Sequence, residues 1–164
     1  MQRNTIRIFT LALVVVISSG LFILAGTDET VPYPTGYLKW THIKQATQPA
    51  QGSAQNDRPR IYHIYANETA VEGYRNKQFA DGAVLVVDFF DTKEENGKLL
   101  ETSRTQVAVM VKDNKRYAKT GGWGFGQFKG DNQTENALKS DGAAKCYACH
   151  SKQGESGVFT TYNK

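Results

Sequence analysis

Five consecutive residues, Cys146-Tyr147-Ala148-Cys149-His150, carry the clearest chemistry in this chain. The sequence has 164 residues and 2 cysteines, and both cysteines lie in this stretch. Two thiols separated by two residues, with a histidine directly after the second, form the C-x-x-C-H pattern of c-type haem attachment. The cofactor dictates the spacing. Two thiols must add to the two vinyl groups on one porphyrin edge, and the adjacent histidine then reaches the iron. Other uses of the cysteines fit less well. A thioredoxin-like redox pair opens a helix after a strand early in its fold, whereas this pair sits near the end of the chain. A closed zinc site needs about four ligands, and His42 and His63 stand at no finger-like spacing. A plain disulfide would leave the histidine without a task. The motif therefore predicts one haem c, covalently attached at Cys146 and Cys149, with His150 as the ligand to iron.

The second axial position decides between electron transfer and ligand chemistry. Met110, the methionine other than Met1, lies in TQVAVMVK on the face opposite Val107, Val109 and Val111. His42 and His63 are further candidates, and the tail after His150 holds neither Met nor His. Small helical electron carriers place the motif early and the methionine ligand late, an order this chain cannot follow. An iron with one open position is the expectation. Asp88 is a second candidate for chemistry, because it shares a strand face with Val84, Val86 and Phe90. A carboxylate among apolar side chains is costly unless paired, which makes it a candidate catalytic proton acceptor. Phe79, Phe89, Phe90, Phe125 and Phe128 are candidate pocket walls. Gly124 and Gly126 alternate with Trp123 and Phe125, and strand glycines allow close approach of a flat ligand or mark a bulge.

These residues must be held by a small domain. The stretch MQRNTIRIFTLALVVVISSGLFILAG has a basic start and an uncharged apolar run over residues 8–25. Residues 1–26 therefore read as a cleaved secretory signal or a retained membrane anchor. Either one places residues 27–164 outside the cytoplasm, in the periplasm. No cysteine lies near this segment, so lipid attachment is not expected. The net charge of +4 includes Arg3 and Arg7, and the remaining Lys and Arg are scattered among Asp and Glu. That distribution gives no nucleic-acid footprint.

Beyond the lead-in VPYPTGY, the stretch YLKWTHIKQA reads as a short helix and TQPAQGSAQNDRPR as a loop. IYHIYA is an alternating strand, with Ile61, His63 and Tyr65 on one face. NETAVEGYRNK is a helix capped at Asn67 or Thr69. The turn at Asp81-Gly82, the strand AVLVVDFFD, the turn ENGK and the strands TQVAVMVK and WGFGQF follow. A short helix, DGAAKCYACHSK, carries the motif. Period-two, β-branched stretches joined by turns predict an α+β domain, mainly antiparallel sheet with a few packed helices. They disfavour a four-helix bundle.

The region from Tyr33 to the C-terminus resembles the cytochrome P460 family, which includes the β-sheet cytochromes c-prime. The resemblance rests on GYLKW, IYHIYANETA, DGAVLVVDFF, VAVMVKD, GGWGFGQF, CYACH and GVFT, in matching order and spacing. It implies an antiparallel sheet with packed helices, often as a homodimer. It also implies haem on the C-terminal motif and an open distal side. Family members oxidise hydroxylamine or bind nitric oxide and similar small ligands, so the resemblance leaves open enzyme and binding protein. A partner cytochrome would exchange electrons with the oxidising form. The oxidising members carry a lysine cross-linked to the haem ring just before the Asp-Gly turn. The corresponding stretch EGYRNKQFADG contains Lys77, and an acidic residue of the family's pattern falls in the strand that holds Asp88.

Overall fold

The computed structural model describes residues 30–50, 58–138 and 141–162. The signal or anchor expected at residues 1–26 lies outside the described residues. Five strands, β1 (Thr41–Gln48), β2 (Arg60–Ala66), β3 (Val84–Glu95), β4 (Lys98–Lys112) and β5 (Trp123–Lys129), form one sheet in the order β1-β2-β3-β4-β5. Every neighbouring pair is antiparallel. Helix α1 (Glu68–Asn76) connects β2 to β3, and helix α2 (Gly142–His150) follows β5. The domain is α+β and mainly antiparallel sheet, as its sequence pattern predicts.

Local chemistry explains the joints. Asn67 caps α1: its side-chain oxygen accepts from the Ala70 N–H at 2.9 Å and the Val84 N–H at 3.0 Å. Its amide donates to the Gly82 carbonyl at 2.9 Å. One side chain thereby ties the start of the helix to the start of β3. Between β3 and β4, Asn96 and Gly97 both take positive φ, 54° and 72°. That is the two-residue turn whose twist matches a right-handed hairpin, and Asn-Gly is its preferred pair.

The expected helix over YLKWTHIKQA is corrected. Only Tyr37–Lys39 form a single 3-10 turn, and Thr41 onward is the edge strand β1. The ladder to β2, running from Thr41 opposite Ala66 to Gln48 opposite Arg60, outweighs the local helical preference.

Alternation along the strands divides the core in two. Leu85 and Phe125 face one side, where Ala66, Ala70, Val71, Tyr74, Phe79 and Trp123 are buried with them. Val86, Val107, Val109 and Phe128 face the other, covered by Val31, Tyr37 and Tyr117. The two helices pack on the Leu85 side.

Candidate functional site

Helix α2 places Cys146, Cys149 and His150 at i, i+3 and i+4, so the three share one side of the helix. Cys146 is half-buried and Cys149 exposed, and both are free thiols. Cys146 and His150 line a cavity on the Leu85 side of the sheet that holds about 680 Å³ of space, partly open to solvent. Burial, and then the neighbouring Cys149, push the Cys146 thiol above its ordinary range.

The histidine is oriented from behind. Its Nδ1 lies 2.8 Å from the Gly157 carbonyl. A carbonyl can only accept, so Nδ1 carries the proton and Nε2 keeps its lone pair. Burial lowers the His150 pKa, with the Gly157 bond opposing, so the neutral form is favoured. Phe125 and Phe159 flank the imidazole at ring-centroid distances of 5.1 and 4.7 Å.

Three further walls complete the cavity. Ile64, Leu85, Val87, Ala108 and Met110 present apolar side chains from β2, β3 and β4. Gln106 and Gln127 supply a neutral polar spot, with the Gln127 amide donating to Gln106 Oε1 at 2.7 Å. The segment Val158, Phe159 and Thr160 closes another side, and Thr160 Oγ1 lies 2.7 Å from the Tyr74 hydroxyl. Two free thiols at thioether spacing, a histidine in the cavity wall whose Nε2 keeps its lone pair, and an apolar slot make a donor set that fits a covalently attached haem. Cys146, Cys149 and His150 would hold it, with the aromatic rings and the sheet as walls.

Other expected residues fall elsewhere. Asp88 points to the opposite side of the sheet, with Val86, and is 1% exposed. Its carboxylate accepts from Tyr37 Oη at 2.6 Å and from Arg104 Nε and Nη2 at 2.8 and 3.1 Å. The structure thus places the Asp88 carboxylate in a buried pairing with Tyr37 and Arg104 and outside the cavity lining. The same network raises the Arg104 pKa, first through the Asp88 hydrogen bond, and holds the Tyr37 phenol well above its ordinary value, first through burial. Arg104 also pairs with Asp131.

Lys77 caps the end of α1 in the left-handed region, φ 57°, and is exposed. It lines a separate polar hollow with Asn76, Gln78, Phe79, Lys112, Asn114, Glu155 and Ser156. The structure does not bring it into the cavity of Cys146 and His150. His63 sits on the Asp88 side, opposite Asp88 in the β2–β3 register. It bonds His42 at 3.1 Å and Glu101 at 2.7 Å. Of the candidate second ligands, Met110 alone is in the cavity wall. Of the five phenylalanines, Phe125 lines the cavity, and Phe79 is buried in the adjoining core.

The strand glycines make room on the far face of the sheet. A Cβ on Gly124 would lie 2.3 Å from the Tyr117 ring, and one on Gly126 would lie 3.1 Å from Val31. Either Cβ would project to the far face of the sheet, while the backbone of Gly126 itself lines the cavity. Gln106 and Gln127 went unnoticed in the sequence. Gln106 could have been found by period two, since it shares a strand face with Ala108 and Met110.

A family model described as Cytochrome P460 matches residues 34–160. No curated protein matches the chain.

Proposed function

This chain belongs to the cytochrome P460 family, which makes it a haem-binding c-type cytochrome, and from that premise we propose that it binds small nitrogen ligands at an open iron. One haem is attached through Cys146 and Cys149, His150 is the axial ligand, and nitric oxide is the leading ligand. Held by Cys146, Cys149 and His150, haem would supply an iron able to take a small diatomic ligand. The protein's own residues do the rest. Gly157 fixes the imidazole, the thiols would hold the ring edge, and Ile64, Val87 and Ala108 give the cavity an apolar wall that disfavours water.

The observation that carries this reading is the cavity wall. It joins an oriented, neutral His150 to apolar side chains and the uncharged Gln106–Gln127 pair. Such a wall suits a small neutral ligand, which needs no proton acceptor. The amides favour hydroxylamine oxidation as a second reading, because Gln106 and Gln127 offer hydrogen bonds to an N–O group. That reaction releases protons and needs a base to receive them, and Asp88 is not among the residues that line the cavity.

Export fits this reading, since c-type haem is attached outside the cytoplasm and residues 8–25 form an apolar run. The working form is then periplasmic, as a homodimer, and the oxidising variant would pass electrons to a partner cytochrome. The test is a mass measurement of protein made with haem-maturation machinery. Wild type should carry one haem that survives denaturation, and Cys146→Ala with Cys149→Ala should carry none. Haem retained by the double variant would refute the attachment.

A further inference from the structure

We propose that Trp123 is a positioning residue for His150, acting through the Ser156–Gly157 peptide; this rests on the haem reading above. The indole Nε1–H donates to the Ser156 carbonyl at 2.9 Å. The next carbonyl along the chain, that of Gly157, accepts the His150 Nδ1–H at 2.8 Å. Two consecutive carbonyls therefore link the buried indole to the imidazole. Gly157 takes φ 64°, and a Cβ on it would lie 3.3 Å from Trp123 Nε1. The indole thus holds the peptide by a hydrogen bond and occupies the space that a side chain at position 157 would need.

The indole is a firm anchor. Trp123 is 2% exposed and opens β5, where its backbone is paired with Lys112. Phe79 meets its ring edge-on at a centroid distance of 5.5 Å, and the Lys112 ammonium sits 5.3 Å from the ring centroid. The Thr120 hydroxyl donates to its carbonyl at 2.7 Å. By contrast, the segment carrying Ser156 and Gly157 has no helix or strand. A histidine ligand's remaining N–H bond sets its ring orientation and its basicity, and loss of such a partner typically costs roughly tenfold or more in metal affinity.

The experiment uses the full haem-loaded chain with Trp123→Phe, which keeps a ring and removes the N–H. The expected result is unchanged haem mass with a lowered iron–histidine stretching frequency in the ferrous resonance Raman spectrum. The reduction potential should rise by the equivalent of about tenfold, ~59 mV for one electron. Gly124→Ala, which strains the opposite face of the same strand, controls for lost stability and should move neither signal. If Trp123→Phe fails to accumulate, benzothienylalanine at position 123 keeps the indole outline without the donor. A lower melting temperature with both signals unmoved would overturn the proposal and leave Trp123 a packing residue. Wild type without haem mass would overturn the haem reading itself, a failure visible before any variant is made.

Discussion

Replacing Asp88 separates a structural carboxylate from a catalytic one. The side chain is 1% exposed and accepts three hydrogen bonds, one from Tyr37 and two from Arg104. Asp88→Asn keeps the volume and can still accept from Tyr37, but it loses the charge that Arg104 pairs with. Arg104 is 20% exposed and retains Asp131, so its loss is partly screened. Charge-assisted hydrogen bonds contribute about 1.5–3 kcal/mol each, and with that screening we expect Asp88→Asn to cost about 2 kcal/mol in all. Asp88→Ala also strands the buried Tyr37 hydroxyl and opens a small cavity, which brings its cost to about 4 kcal/mol. For a domain of this size the first change should lower the melting temperature by ~5–10 °C. The assay is thermal unfolding of both variants beside nitric oxide titration at a temperature where they remain folded. The account expects graded destabilisation, with ligand affinity within about twofold of wild type. An Asp88→Asn protein of wild-type stability that no longer binds nitric oxide or turns over hydroxylamine would refute the reasoning.

Two more outcomes follow from the packing and from the buried phenols. Gly124→Ala puts a methyl group 2.3 Å from the Tyr117 ring. Overpacking of this kind costs about 1–3 kcal/mol, and because the methyl faces away from the cavity, the haem absorption spectrum should not change. Burial holds Tyr37, Tyr65 and Tyr74 above the ordinary phenol value of 10.0. Above pH 10 the folded state then binds more protons than the unfolded state, so stability is full below pH 10 and falls as pH rises beyond it. Lys112, lowered by burial, acts in the opposite sense, but as one group against three. Urea midpoints between pH 8 and 11 should show that fall, and Tyr37→Phe should make it shallower.

Much of this architecture is legible in the residues because local rules agree with the tertiary ones. Of the two expected caps, Asn67 and Thr69, Asn67 is the one used, and the turn expected at ENGK is there, at Asn96-Gly97. Period two in AVLVVDFF correctly puts Asp88 with Val84 and Val86. What period two cannot show is which sheet face carries the motif helix. That depends on where the chain after β5 turns, so the buried carboxylate was legible and its side of the sheet was not. The same ambiguity leaves the strand glycines open between a flat ligand and a bulge, with no sign of the Tyr117 and Val31 side chains that a Cβ would meet. β1 was missed because its eight residues gain their order from pairing with β2, a long-range ladder with weak local signal. Lys77 shows the opposite limit: proximity in sequence to the Asp-Gly turn does not aim a side chain into the cavity.

The most direct test of the central claim is the absorption spectrum of the reduced holoprotein, recorded before and during addition of nitric oxide. The account predicts a high-spin ferrous c-type spectrum that converts completely at one equivalent of nitric oxide and is unaltered in Lys77→Ala. A sharp low-spin spectrum indifferent to nitric oxide would contradict it, placing a protein ligand such as Met110 on the iron. A Soret band displaced far to the red that Lys77→Ala abolishes would contradict it as well, bringing Lys77 to the ring and restoring hydroxylamine oxidation as the function.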